Sequence, residues 1–363
     1  MKKSITLITG ILLAGAANAQ TSVTLYGLVD AGFLFQNRNG GSGAIATTTH
    51  PLYLFNSGGD ATSAIGLRGT EDLGGGYDVG FQLEGQFQIG SGALTVPGTL
   101  FNEYSNVFVG TPYGRVTVGK QIDPAYIALA QVDPRGLSNA FSAAGWWNFL
   151  QGNSTNPSGT VYEQNAVSYS TKAGDFLFGA LYGFGNTPGS ISQGQTISTG
   201  LTYDNGHAIL SAAYLQKNNA TGARDLRTWM LGGGYRVGSL TVKGGYTDYR
   251  LPLGNNVAPI GNTPPSHVIV AHGGLNWSIS PVQTMTIAYY FSEDRLNAEN
   301  GTSTYVISYD YFLSKQTKIY GFAGLMKAKK EANGLTSLMT ASLTTGYPGS
   351  YTTGIGIGIQ HRF

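Results

Sequence analysis

Apolar and polar side chains alternate along segment after segment of this chain, and a period of two specifies β-strands with one apolar and one polar face. In Tyr77 to Gln88, the residues Tyr77, Val79, Phe81, Leu83 and Phe87 share one face. Asp78, Gln82, Glu84, Gln86 and Gln88 share the other. Ser303 to Leu313 sets Tyr305, Ile307, Tyr309, Tyr311 and Leu313 against Thr304, Ser308 and Asp310. Gln283 to Phe291 sets Met285, Ile287, Tyr289 and Phe291 on one face. Thr353 to Phe363 alternates Ile355, Ile357, Ile359 and Phe363 with Gly354, Gly356, Gly358, Gln360 and Arg362. Such an apolar face meets a second sheet in a soluble sandwich, or lipid in a membrane barrel.

The N-terminus and composition favour the barrel. Lys2 and Lys3 precede a short apolar run from Ile5 to Ala16, and Ala17-Asn18-Ala19 has the A-x-A form of a cleavage site. Residues 1–19 therefore read as a secretory signal peptide, cleaved after Ala19 to leave a chain starting at Gln20. Beyond residue 20 no run of 18 apolar residues occurs, so no transmembrane helix is predicted. Only 11% of residues are charged, which is scarce for a soluble domain, while the chain carries 22 tyrosines and 54 glycines. An exported, aromatic, charge-poor chain without a membrane helix fits a barrel in an outer membrane.

The connections sort into two classes. Seven are short enough for tight turns: Glu71 to Gly76, Thr111 to Gly114, Lys172 to Asp175, Asp204 to Gly206, Val237 to Ser239, Ser280-Pro281 and Ser314 to Gln316. Eight longer stretches rich in Gly, Asn, Ser and Pro lie near 38–61, 91–100, 122–161, 186–193, 218–224, 251–265, 294–301 and 329–349. Fifteen connections join sixteen strands, an even number that brings both termini to the short-turn side, where the first strand pairs with the last. The expected fold is thus all-β, a 16-stranded antiparallel transmembrane β-barrel with short periplasmic turns and long external loops. The terminal Phe363, closing an alternating strand, is the kind of aromatic end that serves assembly of outer-membrane barrels.

Several functions are excluded. Removing Lys2 and Lys3 with the signal leaves 19 basic and 19 acidic residues, and a neutral chain lacks the basic field that nucleic acid requires. Cysteine is absent, which removes disulfides, thiolate metal sites and thiol nucleophiles. His267 and His272 are five apart on opposite strand faces and form no metal pair. No G-x-S-x-G occurs, and Gly232-Gly233-Gly234 lacks the strand-to-helix setting of a phosphate loop. No catalytic residues, metal or cofactor are predicted; the expected partners are outer-membrane lipid, small hydrophilic solutes and ions.

Specific segments resemble the trimeric porins of Gram-negative bacteria of the neisserial and burkholderial kind. Ser22 to Asp30 resembles their first strand, and Gly69-Thr70-Glu71-Asp72-Leu73-Gly74-Gly75-Gly76 their first periplasmic turn. Gln82-Leu83-Glu84 resembles the strand that follows, Tyr113 to Gln121 the fifth strand, Asn165 to Tyr169 the sixth, and His361-Arg362-Phe363 the end. The resemblance implies a homotrimer, passive diffusion of small hydrophilic solutes, and a third external loop folded inward to narrow the pore. Residues 122–161, the longest connection, match that constriction loop and hold a helix-compatible run from Pro124 to Gln131. Two other readings share the barrel: a substrate-specific channel, and an adhesive or structural barrel with externally binding loops.

Pores select by width, lining dipoles and charged rings. Strand phase points Arg68, Asp78, Glu84 and Arg115 to the lumen, with Lys243, Lys318 and Arg362 as further candidates, and gives Lys120 the outward phase of Val118. Asp123, Asp133 and Arg135 lie in the constriction loop. Many members of the resembled family place an arginine cluster at the constriction. One arginine belongs to a Ser-Arg-x-Gly segment, which here reads Ser63-Ala64-Ile65-Gly66; the other two positions hold Tyr104 and Tyr162. The pore-lining candidates are Arg68, Glu84, Tyr104, Arg115, Asp133, Arg135 and Tyr162. Losing three cations from a narrow throat predicts weak charge selectivity tilted toward cations. Tyr104 and Tyr162 either fill space or form an aromatic, hydrogen-bonding lining suited to sugars or aromatic solutes. Tyr289, Tyr290, Tyr305, Tyr309, Tyr311 and Trp277 suit interfacial girdles, and Trp146 and Trp147 suit packing of the long loop on the wall.

Overall fold

The computed structural model describes residues 22–38, 50–151, 160–251, 267–332 and 346–363. The expected signal peptide, its expected cleavage after Ala19, and parts of the longest connections lie outside the described residues. The first strands are β1 (Ser22–Gln36), β2 (Leu52–Ser57), β3 (Ala64–Gly74), β4 (Tyr77–Gln86), β5 (Tyr104–Thr111) and β6 (Gly114–Ile122). Two helices, α1 (Pro124–Val132) and α2 (Ala143–Leu150), follow before β7 (Tyr162–Ala173), β8 (Phe176–Gly183), β9 (Thr196–Asp204) and β10 (Ala208–Asn218). The rest are β11 (Arg224–Val237), β12 (Leu240–Arg250), β13 (His267–Ser280), β14 (Gln283–Asp294), β15 (Asn297–Phe312), β16 (Thr317–Ala328) and β17 (Tyr351–Arg362).

From β3 onward each strand pairs antiparallel with the next, and β1 closes on β17 in a register running from Leu28↔Arg362 to Gln36↔Gly354. On its other edge β1 meets β2 from Ala31↔Ser57 to Gln36↔Leu52, then β3 from Ser22↔Thr70 to Leu28↔Ala64. Strands β2 and β3 are therefore two halves of one stave, and the barrel has sixteen staves. Closure leaves no sheet edge in lipid, where unpaired backbone groups would go unsatisfied.

Two predicted connections are partly strand. The 38–61 stretch contains β2, held to β1 by ring pairs Phe33–Phe55 at 5.8 Å and Phe35–Tyr53 at 5.2 Å. The 294–301 stretch collapses to a turn at Arg295 and Leu296. Its composition misleads because Asn297 to Asn300 carries no apolar face; above the lipid a stave needs none. Local bonds shape it instead: the Leu296 amide donates to Asp294 Oδ1 at 2.9 Å and Asn300 Nδ2 to Asp294 Oδ2 at 3.3 Å.

The alternation sorts as lipid outside and lumen inside requires. Ile355, Ile357 and Ile359 are 53%, 58% and 48% exposed on the outer surface, whereas Gln360 is 4% exposed inside. Tyr289, Tyr305, Tyr309, Tyr311 and Trp277 are exposed, in keeping with girdle positions. Tyr290 is not: it is fully buried on the inner face, one residue out of phase with Tyr289, and its hydroxyl donates to Asp133 Oδ1 at 2.9 Å.

The inner wall carries glycines at several points where the third loop crosses it. A Cβ at Gly200 would lie 2.2 Å from the Pro124 carbonyl oxygen, and one at Gly232 would lie 2.6 Å from Val132 Cγ2. A Cβ at Gly274 would sit 2.7 Å from Pro134 Cβ, and one at Gly324 2.6 Å from Phe141 Cε1. The loop lies flat on the wall because these side chains are missing. Gly200→Val should lift the N-terminal end of α1, since a backbone oxygen cannot yield, at a cost of about 1–3 kcal/mol. Faster proteolytic cleavage in the loop and noisier single-channel current are the expected signs; a cleavage rate equal to wild type would show that α1 does not rest there.

Candidate functional site: the throat of the barrel

The third loop leaves β6 and turns straight into α1, as its sequence dictates. Asp123 caps the helix by accepting from the Tyr126 amide at 2.8 Å, and Pro124 occupies the first turn, where no N–H is needed. Helix α1 spans Pro124–Val132, the predicted helical run extended by one residue. Ser198 Oγ accepts from the Ala125 amide and donates to Asp123 Oδ1, both at 3.1 Å, and Ser211 Oγ donates to the Ala128 carbonyl at 2.9 Å. Burial, reinforced by nearby Glu163, pushes the Asp123 carboxyl up to about 7.

Asp133 ends the helix and does not reach the lumen, a correction to its candidacy as a pore-lining residue. It is fully buried, accepting from Tyr290 Oη and from the Leu137 amide at 2.8 Å. A carboxylate following a short helix finds backbone donors in the turn beyond, and those outcompete the solvent-filled lumen. The loop then crosses toward β1, where Asn139 Nδ2 donates to the Gly58 carbonyl at 3.0 Å and to Thr62 Oγ1 at 3.1 Å. Helix α2, absent from the sequence reading, is capped by Ser142 and buries two tryptophans. Trp146 packs on Tyr290 at 5.7 Å and Trp147 on Tyr249 at 5.9 Å, the wall contacts expected of them.

Helices α1 and α2 pack on the wall from β8 to β13, and a cavity of about 770 Å³ opens against β1, β3, β4, β6 and β7. Ala64, Glu84 and Tyr162 line it, together with Tyr26, Glu103, Lys120, Tyr126 and Arg362, while Tyr104 borders a neighbouring cavity of about 290 Å³. The Tyr104 and Tyr162 rings meet edge to face at 5.2 Å. Tyr162 Oη donates to Glu103 Oε1 at 2.8 Å, and Gln86 Nε2 donates to the same oxygen. Asn102 locks Gln86 by accepting from its amide at 2.7 Å and donating to its Oε1 at 3.0 Å. Glu103 is 7% exposed; burial pushes its carboxyl up to about 9, and the neighbouring Glu84 adds to the shift. Burial and a second carboxyl nearby both favour the protonated form of such an acid. Arg68 lies beside this group, with its guanidinium 5.1 Å from the centre of the Tyr26 ring.

Two candidates lie elsewhere. Arg115, one residue into β6, stacks on Phe108 at 4.0 Å and pairs with Asp78 at 3.3 Å. It is held next to the periplasmic turn and borders a separate cavity of about 290 Å³ beside α1. Arg135 Nε donates to the Ala140 carbonyl at 3.2 Å and Nη2 to Ser138 Oγ at 3.0 Å. It faces a second cavity of about 140 Å³ that also holds Asp310 and shares Asp60 with the main passage. Lys318 Nζ bridges these two acids, 2.9 Å from Asp60 and 3.5 Å from Asp310.

Lys120 corrects the phase count. The β6–β7 register shifts between Gly119 and Gln121, and Gly119 has a φ of +119°, so the extra residue turns Lys120 into the passage. Glycine in mid-strand is the signal available in the sequence. Strand pattern misses Glu103 because it precedes β5, where alternation has no anchor, and Asp60 because nothing in its sequence neighbourhood marks it.

Known proteins share this architecture. A family model described as Gram-negative porin matches residues 5–331. Outer membrane porin protein 32 of Delftia acidovorans is 29% identical over 373 residues, covering all of both chains. An outer membrane porin protein of Bordetella pertussis is 29% identical over 409 residues, again covering all of both. The solved structure of an anion-selective porin from Comamonas acidovorans superposes with a TM-score of 0.77 at 26% identity, over 95% of this chain and 100% of that one. The chain belongs to the Gram-negative porins, and it is a non-enzymatic channel of the outer membrane through which small solutes diffuse passively.

Proposed function

We propose that this porin is a general diffusion pore of weak charge selectivity without the anion preference of its Comamonas relative. The constriction is formed by Glu84, Tyr104 and Tyr162, with Arg68 at its margin. The observation that carries this reading is the lining of the main passage by Ala64 and Tyr162, with Tyr104 packed against Tyr162, at the positions where the resembled family sets arginines. Around them stand Glu84 and Glu103, whose carboxyl burial pushes up, countered by Lys120 and Arg362. Charges of both signs in one throat leave little net field to sort ions. Residues 1–19 act as a signal peptide removed after Ala19, checked by an N-terminal Gln20 on the mature protein. The working form is a homotrimer in lipid, supported by membership of the porin family and by apolar outer rows such as Phe33, Phe55 and Leu67.

The test is the purified protein in a planar bilayer under a KCl gradient. A reversal potential near zero or on the cation side is expected, with current entering in three equal sublevels per insertion. Strong anion selectivity would overturn the selectivity reading, and a single level per insertion the trimer.

A further inference from the structure

We propose that the throat is a binding subsite for neutral hydroxylated solutes, sugars and polyols, so that their flux through the open pore saturates. This deepens the diffusion-pore reading and rests on it. Three elements each send one tyrosine into the same cavity, Tyr26 from β1, Tyr126 from α1 and Tyr162 from β7, and Tyr104 from β5 packs on Tyr162. Its volume of about 770 Å³ falls within the range of small-molecule sites. Space-filling alone would bury these rings, yet all three remain half-buried and border open space.

The chemistry around the rings favours a hydroxyl-rich ligand. Tyr104 holds Tyr162 edge to face at 5.2 Å, and an aromatic face bordering the cavity suits the C–H face of a sugar. Among the described residues, the Tyr126 hydroxyl finds no hydrogen-bond partner within the protein. Glu84 supplies acceptors and Lys120 donors on the same wall. A hydroxyl both donates and accepts, so a polyol satisfies all of these groups. A free cation drawn by Glu84 meets Lys120 and Arg362, and an anion drawn by those meets Glu84. A neutral solute meets neither repulsion nor the desolvation cost of a charge. A plain aromatic solute would match the rings but leave the polar groups unpaired.

The experiment is ion-current block in a planar bilayer holding the full-length porin, with glucose, maltose and benzyl alcohol as probes. Glucose and maltose should lower the current along a saturating curve, beyond the proportional loss that viscosity causes. Tyr126→Ala and Tyr162→Ala should raise the half-blocking concentration about tenfold, and Tyr162→Phe, which keeps the ring, less. Tyr53→Ala, on the outer face, controls for general damage. Where the alanine variants fail to assemble, Glu84→Gln serves, with an expected weakening of about threefold. A strictly linear, viscosity-like response would overturn the subsite and leave the pore intact. So would block by benzyl alcohol without block by sugars, which assigns the throat to aromatic solutes. Absence of any current from folded protein would overturn the pore reading itself, and the subsite with it.

Discussion

Introducing Ala64→Arg, Tyr104→Arg and Tyr162→Arg together is expected to turn the channel strongly anion-selective. Ala64 and Tyr162 border the main passage and Tyr104 packs on Tyr162 across from Glu84, so three guanidinium groups would crowd one throat. A unit charge about 4 Å away is worth about 1 kcal/mol even at the dielectric constant of bulk water, and more in a narrow throat. Three such charges, reduced by screening in salt, shift the chloride-to-potassium permeability ratio on the order of tenfold or more. The single variants should differ. Tyr104 stands directly across from Glu84 in the β4–β5 register, so a cation there is largely neutralised. Ala64 faces Gln86 across the β3–β4 register, so Ala64→Arg alone should move the reversal potential further than Tyr104→Arg alone. A triple variant with the wild-type reversal potential would place the selecting step outside this passage.

The barrel is legible in the sequence because lipid enforces its rule on every stave. Rows such as Ile355, Ile357 and Ile359 must point outward, and a polar error there would be costly. Where the rule lapses, so does the pattern: β15 starts at Asn297 with a polar stretch beyond the lipid, and β2 hides among loop-like residues. The throat is legible in part. Glu84 follows from phase along an unbroken strand, and Tyr104 and Tyr162 from their places in segments resembling a known family. Lys120 is lost to a one-residue bulge at Gly119, which period-two counting cannot see. Asp133 and Arg135 depend on the path of the third loop, fixed by contacts with wall residues more than a hundred positions away, such as Asn276 Nδ2 donating to the Pro134 carbonyl at 2.7 Å. Those contacts leave no periodic trace. The Ser142 cap before a small-residue and tryptophan run is a visible sign of α2 that composition alone does not resolve.

Lys217→Met is expected to destabilise the barrel more than any surface substitution. Lys217 is 2% exposed, and its Nζ lies 2.6 Å from Glu163 Oε1. Glu163 Oε2 in turn accepts from Thr196 Oγ1 at 3.1 Å. The fully buried Asp123 lies close enough for Glu163 to raise its carboxyl and for Lys217 to lower it. Removing the ammonium leaves an unpaired buried carboxylate beside a second acid, a loss of about 3–5 kcal/mol. The comparison is Arg236 with Asp204, a pair with both side chains 34% exposed, whose removal should cost about 1 kcal/mol or less because water screens it. The buried pair also sits at the root of the third loop, where the Asp123 amide donates to the Val161 carbonyl at 2.8 Å. Its loss should therefore loosen the throat as well as the wall, giving noisier current alongside a lower unfolding midpoint in detergent. Adding Glu163→Gln to Lys217→Met should recover much of the stability, because the penalty comes from the stranded charge rather than from a missing attraction. Equal midpoints for the single variant and wild type would mean that Glu163 takes up a proton without cost once its partner is gone.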